Sequence, residues 1–195
     1  MARTKEFDPD AALHSAMELF WRRGYEATSM ADLTAHLGIG RASLYATFGS
    51  KHELYLKAMD RYGEVHDPGL VEELSQPGPA LPAVRSLVRR FAEECADDAT
   101  RRAGCLVTNT AAELGAHDAD AARRVERGWD HMETPLHSAL VRAQAQGELG
   151  ADSDPLALAR MLVVLMQGLR VVGKASSDPR RVHDAAEQAL RLLDR

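Results

Sequence analysis

The chain has 195 residues, 45% hydrophobic and 27% charged, the balance of a soluble globular protein with room for one domain or two small ones. Its formal net charge of −5 argues against a uniformly basic nucleic-acid binder, and no run approaches the ~18 consecutive apolar residues of a membrane-spanning helix. The opening MARTKEFDPD lacks the apolar run of a secretion signal, so a cytoplasmic location is expected.

The charge is unevenly spread. Residues 1–51 carry six basic and six acidic side chains, whereas residues 52–195 carry 18 basic and 23 acidic. A neutral module binds DNA when its basic residues share one face, with modest affinity per subunit. Doubling the contacts through a dimer offsets that weakness.

Residues 1–8 form a polar arm whose Arg3 and Lys5 suit a DNA backbone or minor-groove contact, although a frayed terminus has the same composition. Asp8 followed by Pro9 starts a helix, Leu13, Ala16, Met17 and Phe20 repeat at helical spacing, and Gly24 ends it. In the stretch from Thr28 to Lys51, Ser29 with Asp32 and Ser50 with Glu53 both fit a capping box. Gly38 can close the intervening helix in a left-handed conformation. Met30, Leu33, Leu37, Ile39, Leu44, Tyr45 and Phe48 supply the apolar positions. Two helices this short must share one small core, which is the helix-turn-helix arrangement, whose second helix suits a DNA major groove.

This segment resembles the TetR family of bacterial repressors through Thr28-Ser29, Asp32-Leu33, Leu37-Gly38-Ile39, Leu44-Tyr45, Phe48 and Ser50-Lys51. The match reaches back to Phe20 and Gly24-Tyr25 and forward to Leu54. Gly40 and Ala42 depart from it, standing where the family often has a hydroxyl cap and a glycine. The resemblance implies an all-α protein, with a helix-turn-helix DNA-binding domain in residues 1–51 and a helical ligand-binding and dimerisation domain in residues 52–195.

A recognition helix over about 40–48 turns Leu44 and Phe48 inward and leaves Arg41, Ser43, Tyr45, Ala46 and Thr47 outward. Arg41 can fork onto a guanine edge, or simply hold a phosphate or water. Ser43 and Thr47 can bond to phosphate or base, and Ala46 can meet a thymine methyl. The resemblance puts Tyr45 and Lys51 at positions that hold the DNA backbone; Tyr45 also fits a half-buried core site. The expected DNA-contacting set is Ser29, Arg41, Ala42, Ser43, Tyr45, Ala46, Thr47 and Lys51.

Ser50 begins a linking helix that fades near Gly63, and residues 66–82, with four of the eight prolines, read as a loop or short broken helix. Further helices are expected over 83–98, 105–114, 118–146 (with Gly128 and Pro135 as weak points), 155–174 and 179–193. Pro135 should kink its helix or force a local readjustment. The stretch from Met161 to Met166 is apolar all round, and the last helix carries an alanine-rich stripe. Together they read as core and dimer interface, and the resemblance likewise implies a homodimer through the last two helices, about 155–193.

The family usually couples DNA release to a small ligand in the C-terminal domain, which works only if the ligand prefers the conformation that misses the operator spacing. Candidate ligand contacts are Met59, Tyr62, Phe91, Cys105, Asn109, Trp129, Met132 and Met166; each also fits ordinary core. Asn109 and Trp129 stand out because a buried amide or indole N–H needs a partner. Cys95 and Cys105 form no disulfide framework, but Cys105, near Arg101 and Arg102, is a candidate oxidant sensor. No two of the eight histidines are four apart, so neither a metal nor another cofactor is expected. No Ser-His-Asp set, phosphate loop or HExxH is visible, so enzyme chemistry is not expected. The expected function is a ligand-released dimeric repressor on a palindromic operator. A thiol-responsive repressor using Cys105, or an interaction protein of the same fold without DNA binding, are the alternatives.

Overall fold

The computed structural model describes residues 7–66, 69–98 and 101–194, and among them there are helices and connections but no strand. The arm residues Arg3 and Lys5 lie outside the described residues. The helices are α1 (Pro9–Arg23), α2 (Met30–Leu37), α3 (Arg41–Phe48), α4 (Lys51–Val65), α5 (Leu70–Leu74), α6 (Ala80–Ala96), α7 (Leu106–Glu113), α8 (Ala119–Ala145), α9 (Pro155–Ala175) and α10 (Arg180–Arg191). A 3₁₀ turn, Leu192–Asp194, follows.

Packing divides the chain into two compact units, one of residues 1–67 with 105–125, the other of 68–104 with 126–195. The first contains α1 to α4, α7 and the start of α8. The boundary placed near residue 51 follows the helix-turn-helix pattern; by packing, α4 goes with α1, and α7 joins them from a distant part of the sequence. Phe20, Leu33, Leu44, Phe48, Leu54 and Tyr55 form the centre of this unit. Phe20 meets Tyr55 edge-on, with ring centroids 4.9 Å apart.

In the second unit Val84, Leu87 and Val88 of α6 pack with Leu136 and Leu140 of α8, Leu162, Met166 and Leu169 of α9, and Val182 and Leu190 of α10. Gly173 lets the C-terminal part of α9 lie directly on the end of α6: a Cβ there would come within 2.2 Å of the Cys95 carbonyl oxygen.

Several local expectations shift. Helix α4 runs past Gly63 to Val65. Helix α6 begins at Ala80 rather than Ala83, with Pro82 in its first turn, where a missing N–H costs nothing. Gln146 Oε1 accepts from the Ala80 N–H (3.2 Å) and Glu148 Oε2 from the Leu81 N–H (2.8 Å), so this helix is capped by side chains remote in sequence. Helix α8 continues unbroken through Gly128 and Pro135. Helix α10 starts at Arg180, with the Asp178 carboxylate accepting from the Arg180 N–H at 3.1 Å. Helix α9 has no long unbroken apolar run, yet by length and average composition alone it is apolar enough to cross a membrane, with mean hydropathy 1.7 over its most apolar window.

Candidate nucleic-acid interface

The N-terminal unit builds its outer face from capped helices. Asp8 accepts from the Asp10 N–H to start α1, and Gly24, at φ 87°, ends it. At α2 the Ser29 hydroxyl accepts from the Asp32 N–H (3.1 Å), while the Asp32 carboxylate accepts from the Ser29 N–H (2.9 Å). Ser50 and Glu53 repeat the arrangement at α4, with 3.1 Å and 2.7 Å. Gly38, at φ 65°, closes α2 in the left-handed region as its position suggests. The start of α3 is different: Gly40 caps it with no side chain, as the absence of a hydroxyl requires.

These caps make a pH prediction. The Ser29 hydroxyl, then the Ser29 N–H and Arg23, hold the Asp32 carboxyl below its ordinary range, and the Ser50 N–H and hydroxyl do the same for Glu53. Folded values depressed below unfolded ones mean stability that is full above about pH 4.5 and lost as pH falls through the folded values. The double variant Asp32→Asn, Glu53→Gln should therefore melt lower at pH 7 yet lose less Tm between about pH 5 and about pH 3. Parallel melting curves for the two proteins would place the acid sensitivity elsewhere.

Leu44 and Phe48 are buried, so α3 presents its opposite side outward. Arg41, Ala42, Ser43, Tyr45 and Ala46 are exposed there, and Thr47 is half-buried. Arg41 lies one turn from Tyr45, its Nη2 3.4 Å from the phenolic oxygen and its Cζ 5.6 Å from the ring centroid. Tyr45, 40% exposed, is thus a surface side chain rather than core. Ser29 is also exposed, but its hydroxyl is engaged in the α2 cap.

Lys51 has a role that sequence reasoning missed. Its ammonium donates to the Tyr25 and Thr28 carbonyls (2.8 and 2.9 Å) and sits 4.0 Å from the Tyr25 ring centroid. Two of its three N–H groups therefore anchor the connection between α1 and α2, leaving one for an outside acceptor.

Residues from α7 and the start of α8 complete the unit. Thr110 donates to the Leu106 carbonyl (2.7 Å), so the buried Tyr55 phenol donates to Thr110 across 2.8 Å. Burial pushes the Tyr55 pKa up to about 12, so the phenol stays protonated well into the alkaline range. Glu113 accepts from the Tyr25 N–H (2.9 Å) and the Glu26 N–H (2.7 Å). His52 Nε2 lies 2.6 Å from the Asp118 carboxylate, which also accepts from the Ala121 and Asp120 N–H groups at the start of α8. Burial acts to raise the Asp118 pKa, but those N–H groups and His52 hold it below its ordinary value. No local sequence signal reveals Glu113 or Thr110 as partners of the helix-turn-helix, because the partners are 55 to 88 residues apart.

The eight candidate ligand contacts divide between the units: Met59, Tyr62, Cys105 and Asn109 in the first, Phe91, Trp129, Met132 and Met166 in the second. Met59, Tyr62 and Met166 are buried in packing. Tyr62 meets Trp21 edge-on and His66 at a tilt, with centroids 5.3 and 4.5 Å away. Trp129 is 36% exposed, which corrects the expectation of a buried indole: at this point of α8 the ring lies on the surface. Phe91, Cys105, Asn109 and Met132 are half-buried. Among the described residues no group of three or more potential metal ligands comes together.

The family model "Bacterial regulatory proteins, tetR family" matches residues 12–58, and "Tetracyclin repressor-like, C-terminal domain" matches residues 80–189. The chain is 39% identical to the uncharacterized HTH-type transcriptional regulator YezE of Bacillus subtilis (strain 168), over the full length of both. It is 32% identical to the HTH-type transcriptional repressor ComR of Escherichia coli (strain K12), covering 97% of this chain and 90% of that one. Among solved structures it is similar to a cysteine mutant of the TetR family transcriptional regulator CifR complexed with 26 bp double-strand operator DNA, with TM-score 0.82, 33% identity, and 98% and 100% of the two chains covered. A capped helix-turn-helix with an exposed second helix, both family models in order and full-length relatives together place this chain in the TetR family of DNA-binding transcriptional regulators.

Proposed function

We propose that the chain is a homodimeric repressor that reads a palindromic operator with α3 and is released by a small ligand. The observation that carries the two-fold reading is on α9. Ala157, Val164, Gly168, Val171 and Ala175 are exposed, and with half-buried Met161 they make one stripe at alternating spacings of three and four. That spacing suits a close helix–helix seam. Gly168 sharpens the point. Among the described residues, nothing beyond its own helix backbone and chain neighbours lies within 4 Å of where its Cβ would be, so packing against them does not require a glycine. A mid-helix glycine costs about 1 kcal/mol relative to alanine, and a partner helix approaching closely offsets that cost. A dimer of this kind pairs two copies of α3 about a two-fold axis, hence the palindrome.

The DNA-contacting side chains are Arg41, Ala42, Ser43, Tyr45, Ala46 and Thr47 on α3, with Ser29 and Lys51 beside them. The repressor sense is supported by a relative named as a repressor. Of the ligand candidates, half-buried Phe91, Cys105, Asn109 and Met132 keep surface to offer a ligand. A cytoplasmic location and a non-enzymatic role follow from this reading.

The test is fluorescence anisotropy on DNA from upstream of the gene and on scrambled DNA, at two salt concentrations. Tight, salt-dependent binding that prefers the upstream DNA is expected. Arg41→Ala should lose about 1–3 kcal/mol of discrimination per half-site while keeping non-specific binding. Equal weak binding to both DNAs, followed by failure to select any sequence from random DNA, would end the repressor reading.

One observation favours a second releasing signal. Cys105 is half-buried at the N-cap of α7, the helix whose far end holds Tyr55 and the α1–α2 connection. Attack of the Cys105 thiolate on a peroxide would give a sulfenic acid and hydroxide, adding an oxygen where α7 begins. Operator binding that peroxide weakens in the parent but not in Cys105→Ser supports this; equal response in both excludes it.

A further inference from the structure

The connection between α1 and α2, residues 24–29, is gripped from both sides. Its carbonyls at Tyr25 and Thr28 accept from Lys51, the first residue of α4. Its Tyr25 and Glu26 N–H groups both go to the carboxylate of Glu113, one to each oxygen. Glu113 is the last residue of α7, and one turn earlier on that helix Thr110 holds Tyr55 of α4. Gly24, at φ 87°, leaves room for the approach: a Cβ there would lie a tight 3.1 Å from both Glu113 oxygens. Hydrogen bonds of 2.7 and 2.9 Å have little slack, so a displacement of α7 by about 1 Å would break both.

Building on the DNA-binding reading, we propose that Glu113 is a positioning residue for operator recognition, holding the α1–α2 connection so that α2 and α3 keep the geometry that reads DNA. The carboxylate is suited to this because it accepts at both oxygens. The isosteric Glu113→Gln keeps the shape but turns one acceptor into a donor facing a backbone N–H. The helix-turn-helix then keeps its own core of Leu33, Leu44 and Phe48 but loses its fixed orientation.

The test uses full-length protein, a duplex selected by the parent from random DNA, and a scrambled duplex. Glu113→Gln should bind the selected duplex at least tenfold more weakly and the scrambled duplex within twofold of the parent at low salt. Amide exchange at Tyr25 and Glu26 should quicken while α2 and α3 stay protected. Selected-duplex affinity within twofold of the parent overturns the proposal and leaves the DNA-binding reading standing. Equal loss on both duplexes with deprotected α2 and α3 also overturns it, making Glu113 a stabiliser of the fold only. If the parent itself selects no duplex, the DNA-binding reading falls and the positioning role with it.

Discussion

Val164→Glu is expected to dissociate the protein into monomers and abolish tight operator binding. Val164 is 72% exposed in the single chain, so a carboxylate there leaves the monomer fold untouched. In the proposed dimer it sits within the stripe from Ala157 to Ala175, and two-fold symmetry buries it twice. An uncompensated buried charge costs about 3–5 kcal/mol, so dimer affinity should fall at least ~100-fold. Sedimentation velocity and anisotropy measure the two consequences, while circular dichroism should report unchanged helix content, with the melting temperature lowered only by the lost association. A variant that remains a dimer at micromolar concentration moves the interface off this face of α9.

The second large effect is on stability. Gly173→Ala places a methyl group 2.2 Å from the Cys95 carbonyl oxygen and 3.0 Å from its carbon. Neither atom is the end of a flexible side chain, so the end of α6 and the C-terminal part of α9 must separate. Leu87, Leu169 and Val182 belong to the core that shifts with them. Overpacking of this kind costs about 3 kcal/mol, a Tm drop of ~6–12 °C for a chain of this size. Gly168→Ala, made in the monomeric Val164→Glu background, is the internal control: a Cβ there meets no described atom beyond its own helix backbone and chain neighbours, so that monomer should gain a little stability from better helix propensity. A Tm for Gly173→Ala within a degree or two of the parent would contradict the close packing of α6 and α9.

Much of this protein is written locally. The capping boxes at Ser29 and Ser50, the left-handed turn at Gly38 and the inward Leu44 and Phe48 depend on neighbours three or four residues away. Sequence therefore reveals them directly, together with the all-helical fold and the outward face of α3. Sequence places the start of α6 too late because its caps, Gln146 and Glu148, come from the turn that follows α8. The same limit hid the second role of Lys51 and the whole role of Glu113. A charged side chain looks the same in sequence whether it faces solvent, a phosphate or a distant backbone. Trp129 shows the converse, since an indole on an amphipathic helix reads as core until packing leaves it on the surface. Sequence by itself determined the main helices, the caps made by near neighbours and the family, because those follow from short-range hydrogen bonding and periodicity. Only the tertiary structure decided which backbone groups the distant side chains of α7 and of the turn after α8 would satisfy, because a buried N–H or carbonyl takes any partner that the packing of the helices brings within reach.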